Sequence, residues 1–186
     1  MTDLLDVALE VQAFCDARGW GYCFIGGVAV QRWSEVRVTR DVDLTLFTGF
    51  GHEDSYIDEL LSHFAARGAN AAQLARTRRV LLLCSSGGIG IDVSLGALPF
   101  EELAVDHATP YEFAPGVLLR TCSAEDLVVM KLFASRPLDI RDAEGVALRH
   151  GKELDWRYVE EQLAPLVELK EEPEIMQTLA RIRKLS

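Results

Sequence analysis

A pair of glycines, Gly26 and Gly27, constrains this chain more than any other feature. The pair separates an apolar run over 22–25 from helix-compatible residues over 28–33. This order predicts a strand, a tight turn and the start of a helix. Backbone N–H groups at such a helix start point at an anion. The pattern therefore indicates an anion-binding turn, although an ordinary strand–helix turn would have the same sequence.

Two aspartates follow the turn on a second predicted strand, residues 41–47. Period-two alternation places Val42, Leu44 and Leu46 on one face, and Asp41, Asp43 and Thr45 on the other. Side chains two positions apart lie roughly 6.6 Å apart along a strand and point the same way. Like charges this close are costly unless a cation or a proton intervenes. The alternative is two solvated acids that protect an edge strand against aggregation.

A third acid, Asp92, interrupts the otherwise apolar strand predicted over 89–95. Its phase matches the face of Asp41 and Asp43 if the two strands are neighbours. Three carboxylates from two strands can hold divalent cations, for which carboxylate oxygens are suitable ligands. Beside an anion-binding turn, such a cluster is typical of phosphoryl or nucleotidyl transfer.

One cation, Lys131, lies in a helix predicted from Ser123 that is otherwise apolar on all sides. A buried ammonium needs an anionic partner or loses its proton. Two interpretations of this residue carry equal weight. Lys131 either pairs internally with Asp139 or Asp142, or it contacts a phosphate group.

The composition limits the other possibilities. The net charge of −10 over 186 residues argues against broad, sequence-independent nucleic-acid binding. The sequence has no run of 18 uninterrupted apolar residues, so we predict no transmembrane helix. The acidic residues at its start differ from the basic n-region of a signal peptide. The four cysteines have no metal-ligand spacing, which favours reduced core cysteines. We therefore expect a cytoplasmic protein without a membrane partner.

The pattern of elements predicts an α+β fold. Residues 53–67 form a predicted amphipathic helix, and residues 77–85 a predicted strand. From residue 123 onward the chain is expected to be helical. We therefore predict a core domain over 1–121 and a C-terminal helical part over 122–186.

Taken together, these residues resemble the polymerase-beta-like nucleotidyltransferase superfamily. The resemblance rests on Gly26-Gly27, on Thr39-Arg-Asp-Val-Asp43 and on the strand that bears Asp92. Residues 123–142 narrow the resemblance to one branch of the superfamily, because they resemble the conserved block of AbiEii-type nucleotidyltransferases of toxin–antitoxin systems. The resemblance covers roughly residues 20–145. It implies a small mixed sheet flanked by helices, with a C-terminal helical part.

The resemblance also implies roles for individual residues. Gly26 and Gly27 would cradle the triphosphate, and Lys131 would contact phosphate. Asp142 would be an orienting acid at the rim of the site. The implied acids are the metal ligands Asp41 and Asp43, with Asp92 as a base or second-metal ligand. Where many members of the superfamily have a phosphate-binding serine, this chain has Gly27, so that contact must come from the backbone or from another residue.

The function implied is Mg²⁺- or Mn²⁺-dependent transfer of a nucleoside monophosphate from an NTP. The acceptor would be a tRNA end or a protein, and the chain would be the toxin-like component beside a cognate antitoxin. A small-molecule nucleotidyltransferase acting on an antibiotic is one alternative. A non-catalytic binding module that neutralises a partner is another. The intact acids favour an enzyme, because a pure binder has no use for clustered repulsion.

Overall fold

The computed structural model describes residues 4–185. Within them the chain forms two compact units. The first comprises residues 4–28 and 38–122, and the second comprises residues 29–37 and 123–185. The predicted division into domains between residues 121 and 122 stays a prediction.

The first unit alternates short strands and helices along the chain. Helix α2 (Gly26–Trp33) begins in this unit and ends in the second. The other elements are α1 (Leu4–Asp16), β1 (Tyr22–Phe24), β2 (Asp41–Phe47), α3 (Glu53–His63), β3 (Ala65–Ala66), α4 (Ala71–Arg78), β4 (Val80–Cys84), β5 (Gly90–Gly96), α5 (Pro99–Asp106), β6 (Thr109–Ala114) and β7 (Val117–Thr121).

The strands form one mixed sheet in the order β3-β4-β5-β2-β1-β7-β6. Strands β2 and β5 are parallel, and so are β1 and β7, whereas the other neighbours are antiparallel. The apolar face of β2 lies in the core, with Val42, Leu44 and Leu46 fully buried. The predicted α+β class with a mixed sheet is confirmed.

Two sequence-based boundaries are wrong, and both lie near the edge of the sheet. The predicted helix over 53–67 ends at His63, because the chain becomes extended at Phe64 and pairs with β4. The predicted strand over 77–85 begins only at Val80. The residues before it form the last turn of α4, which Arg79 closes with a left-handed φ of 54°.

The second unit is helical, as predicted. Its further helices are α6 (Ala124–Ala134), α7 (Pro137–His150), α8 (Trp156–Lys170) and α9 (Glu174–Ile182), followed by a 3₁₀ turn at Arg183–Leu185. Ser123 caps α6 by accepting a hydrogen bond from the Asp126 N–H. Residues 29–37 belong to this unit, and within it the Ser34 carbonyl oxygen accepts a hydrogen bond from Arg149 on α7. Across residues 4–185, we find no helix with the length and apolar character needed to cross a bilayer.

Candidate active site

The three predicted acids of the first unit lie on one face of two adjacent strands. Asp43 on β2 is the register partner of Asp92 on β5, and Asp41 is the partner of Gly90. Directly opposite residues on neighbouring strands point to the same face and lie about 5 Å apart. The predicted juxtaposition of Asp92 with Asp41 and Asp43 is therefore confirmed, whereas the catalytic roles of the three acids stay predictions.

The glycine turn lies against this acidic face. The Ile25 N–H donates to the Asp43 carbonyl oxygen at 2.9 Å, which joins the end of β1 to β2. Helix α2 then begins at Gly26, whose φ of +54° favours glycine. The Gly27 N–H lies 3.4 Å from Asp43 Oδ2. The turn and the second aspartate are thus immediate neighbours.

Both glycines are also required by the space around them. A Cβ at Gly26 would overlap the Asp43 carboxylate, and a Cβ at Gly27 would overlap the Thr39 hydroxyl. A serine at position 27 therefore does not fit beside Thr39. The Thr39 hydroxyl occupies the space that a side chain at position 27 would need. The sequence showed Thr39 within the motif but gave it no role.

An arginine that sequence reasoning missed joins two of the acids. Arg67 follows the edge strand β3, and its Nη1 atom lies 3.3 Å from Asp41 Oδ1. Its Nη2 atom donates to Asp92 Oδ1. The predicted helix over 53–67 would have placed Arg67 in a last helical turn, and this contact was therefore not predictable from the sequence.

The acidic face is only partly shielded from solvent. The exposed fractions of the side chains are 47% for Asp41, 32% for Asp92 and 37% for Arg67. Burial is the main reason that the pKa of Asp92 is raised. The negative charge of Asp41 adds to this effect, whereas Arg67 opposes it. The ionised form of Asp92 is therefore disfavoured by burial and by repulsion from Asp41, and a bound cation would reduce both effects.

The donor chemistry of this face fits a divalent cation, but the side-chain positions do not enclose one. Within residues 4–185, no group of three acidic, histidine or cysteine side chains is placed to hold a metal ion. The guanidinium of Arg67 donates a hydrogen bond to one carboxylate oxygen of Asp41 and to one of Asp92. The Asp43 carboxylate lies instead beside Gly27. A cation could be enclosed only after these side chains move.

Lys131 and Asp142, also predicted for the site, lie together in the second unit. The Lys131 Nζ atom is 2.8 Å from Asp142 Oδ2 and 2.9 Å from Asp139 Oδ1. The exposed fractions of these three side chains are between 3% and 8%. The internal pairing, one of the two interpretations of Lys131, is therefore present, and Lys131 has two carboxylate partners rather than one. The phosphate contact of Lys131 stays a prediction.

Two arginines complete this ion-pair network, which we define as Lys131, Asp139, Asp142, Arg37 and Arg136. Arg37 binds Asp142 through two hydrogen bonds of 2.9 and 3.0 Å, and Arg136 donates to Asp139 at 2.5 Å. Burial alone would raise the pKa of Asp139. The hydrogen bonds from Arg136 and Lys131 outweigh burial and hold that pKa below its ordinary value.

Comparisons with known proteins show similarity in fold but not in sequence family. No protein-family model and no curated protein matches the sequence. Solved structures do match in fold. An antigenic nucleotidyltransferase-like protein from Paracoccidioides brasiliensis has a TM-score of 0.53 and 19% identity, with 95% of this chain and 92% of that chain covered.

Two structures of the antibiotic-resistance factor ANT(2″)-Ia are also similar. The solution structure has a TM-score of 0.57 and 15% identity, covering 93% of this chain and 96% of that chain. The crystal structure with adenylyl-2″-tobramycin has a TM-score of 0.51 and 14% identity, with 97% of both chains covered. At these identities the likeness concerns the fold alone. The chain has a nucleotidyltransferase-like fold.

Proposed function

We propose that this protein transfers a nucleoside monophosphate from an NTP to an acceptor. The observation that carries the proposal is the placement of Asp41, Asp43 and Asp92 on one face, beside the Gly26–Gly27 turn. An anion-binding turn next to a carboxylate cluster is what nucleotidyl transfer requires. The nucleotidyltransferase-like fold supports the same reaction class.

In this proposal the backbone N–H groups at the start of α2 bind the triphosphate. Asp41, Asp43 and Asp92 would hold Mg²⁺ or Mn²⁺. When bound, the metal would neutralise phosphate charge and orient the phosphate groups. The acceptor oxygen attacks the α-phosphorus, the bond to the β-phosphate breaks, and pyrophosphate leaves. Asp92 is the group that we assign to take the proton of the acceptor.

The acceptor that we propose is a tRNA end or a protein. This choice rests on the AbiEii-type block over residues 123–142 and implies a toxin-like role beside a cognate antitoxin. Lys131 would then contact phosphate and Asp142 would orient the site. For Lys131 this contact requires a change in its pairing with Asp139 and Asp142.

A small-molecule acceptor is the second candidate. It is favoured by the similarity in fold to ANT(2″)-Ia. The match to the structure of that protein with adenylyl-2″-tobramycin covers 97% of both chains. An aminoglycoside such as tobramycin is therefore a defined acceptor to test beside RNA and protein.

The test is a transfer assay with each of the four NTPs, labelled at the α-phosphate, and with Mg²⁺. Total RNA, lysate protein and tobramycin are supplied as separate acceptors. We expect label in one acceptor pool with wild-type protein, and transfer slower by on the order of 10²–10³-fold with Asp43→Asn. Transfer at the wild-type rate by Asp43→Asn would exclude this site. The absence of transfer with every NTP, together with the absence of any NTP-dependent rise in melting temperature, would exclude the nucleotide reaction.

A further inference from the structure

The side chain of Arg67 crosses one strand of the sheet to reach the acidic face. Its backbone N–H donates to the Leu82 carbonyl oxygen on β4 at 2.9 Å. Leu82 is in turn the register partner of Asp92 on β5. The guanidinium therefore extends over β4 to bind Asp92 and Asp41. An arginine that only secured the short edge strand β3 would not need to reach this far.

The sheet leaves space for this contact at Gly90, the register partner of Asp41. A Cβ at Gly90 would overlap both Asp41 Oδ1 and Arg67 Nη1. The φ of Gly90 lies outside the left-handed region, so its backbone conformation does not require glycine. Glycine at this position keeps open the place where the guanidinium and the carboxylate meet.

We propose that Arg67 is the counter-ion of the acidic face and competes with the divalent cation for Asp41 and Asp92. This inference rests on the proposed function, because it assigns those two acids as metal ligands. A planar guanidinium binds two carboxylate oxygens from a fixed geometry. Each oxygen that it binds is withheld from a metal ion. The metal alone must displace Arg67 and therefore binds weakly.

The triphosphate gives Arg67 an alternative partner. A guanidinium released from Asp41 and Asp92 can bind phosphate oxygens, since their charge and geometry match its own. Metal and nucleotide then bind together more tightly than either binds alone. Arg67 thereby couples filling of the metal site to the presence of the substrate.

The experiment measures Mn²⁺ binding to the nucleotide-free protein by electron paramagnetic resonance. For Arg67→Gln we expect at least about tenfold tighter binding of Mn²⁺ alone than for the wild type. The matched control is Arg76→Gln, because Arg76 lies in the same unit and pairs with Asp54 on α3 rather than with the acidic face. The control should bind Mn²⁺ within about twofold of the wild type.

A purely structural role for Arg67 predicts a different outcome. Arg67→Gln would then be less stable but would bind Mn²⁺ no more tightly, and this result would overturn the inference. If Arg67→Gln fails to fold, Arg67→Lys decides the question, because lysine keeps the charge but loses the two-point geometry. We expect Arg67→Lys to bind Mn²⁺ more tightly than the wild type, and unchanged or weaker binding overturns the inference.

Failure of this inference can be separated from failure of the proposed function. Wild-type protein that binds Mn²⁺ with an NTP, beside an Arg67→Gln variant with no gain for Mn²⁺ alone, overturns only the role of Arg67. No Mn²⁺ binding by either protein, with or without any NTP, overturns the metal site and the proposed function with it.

Discussion

The acidic face and the ion-pair network both combine carboxylates with cations, but at different depths. Asp41, Asp92 and Arg67 of the face keep between 32% and 47% of their side chains exposed. Lys131, Asp139 and Asp142 of the network keep between 3% and 8%. Exposed pairs are worth little and can exchange partners, whereas a buried charge that loses its partner is expensive. The face is therefore suited to a change of partner, and the network to a fixed structure.

The two regions also differ in the sign of their charge. Three carboxylates and the guanidinium of Arg67 leave the acidic face negative. Three cations beside two carboxylates leave the ion-pair network positive. A negative face attracts a divalent cation, and a positive cluster attracts phosphate. The proposal follows this difference, with the metal assigned to the acidic face and the phosphate contact to Lys131 in the network.

The largest effect on stability is expected from Lys131→Met. The substitution keeps an unbranched side chain of similar length but removes the cation shared by Asp139 and Asp142. Breaking a buried pair typically costs about 3–5 kcal/mol. Because each carboxylate keeps an arginine partner, we expect a loss of about 3 kcal/mol in the free energy of unfolding. Urea denaturation without nucleotide measures it.

The control for Lys131→Met is Lys152→Met, because Lys152 is exposed in the turn after α7. The control should unfold within about 0.5 kcal/mol of the wild type. If Lys131→Met were as stable as the control, the network would not be a fixed structure. The predicted phosphate contact would then be the main role of Lys131.

The acidic face should show the opposite behaviour, with a large effect on activity and a small one on stability. Asp43→Asn removes one carboxylate beside the glycine turn without changing its shape. We expect nucleotidyl transfer to fall by on the order of 10²–10³-fold, as for loss of one electrostatic contact in a transition state. The free energy of unfolding should change by less than about 1 kcal/mol.

Transfer and melting are measured on the same samples of Asp43→Asn. Asp54→Asn is the control, because Asp54 lies on α3, is exposed and pairs with Arg76. It should match the wild type in transfer rate. Loss of stability without loss of transfer in Asp43→Asn would reverse the contrast between the two regions.

The stability that the ion-pair network contributes through Asp139 should depend on pH. The pKa of Asp139 lies below its ordinary value of 3.8, since hydrogen bonds from Arg136 and Lys131 outweigh burial. A depressed pKa gives stability that is present above the unfolded value and is lost as pH falls through the folded value. Asp139→Asn should therefore cost about 1.5–3 kcal/mol at neutral pH, the value of hydrogen bonds to a charged group.

This cost should begin to shrink below about pH 4, where the Asp139 carboxyl of the unfolded wild-type chain takes up a proton, and it should disappear only below the depressed pKa of the folded state. Urea unfolding of both proteins at neutral pH and near pH 3 gives the two differences. An equal difference at both pH values would mean that the ionised form of Asp139 contributes nothing to stability.

The contrast also shows what the sequence could predict. The alternation along β2 was enough to place Asp41 and Asp43 on one face. The phase of Asp92 matched that face only on the condition that the two strands are neighbours, which the pairing of β2 with β5 fulfils. The cation that reduces the repulsion among these acids was not predictable. Arg67 reaches the face only because the chain leaves α3 at His63 and adds an edge strand, and that boundary depends on pairing with β4.

For the network, the chemistry could be predicted from the sequence, but the geometry could not. An ammonium in an apolar helix predicted a buried partner, and Asp139 and Asp142 were the candidates. The sequence could not show that both would bind Lys131 at once. It also gave no sign of Arg37, which lies 105 positions before Asp142 and reaches it through tertiary packing.

The smallest effect is expected from Arg67→Gln, and it tests the comparison most directly. Arg67 and its partners are more than a third exposed or close to it, so loss of the pairs should cost less than about 1 kcal/mol. Without the guanidinium, the carboxylates of the acidic face repel one another, and millimolar Mg²⁺ should restore the lost stability by taking its place. The same Mg²⁺ should not restore Lys131→Met, whose stranded carboxylates are buried and bound to arginines. Urea unfolding of both variants with and without Mg²⁺ makes the comparison. Equal stability losses, or rescue of both variants by Mg²⁺, would show that depth does not distinguish the two regions.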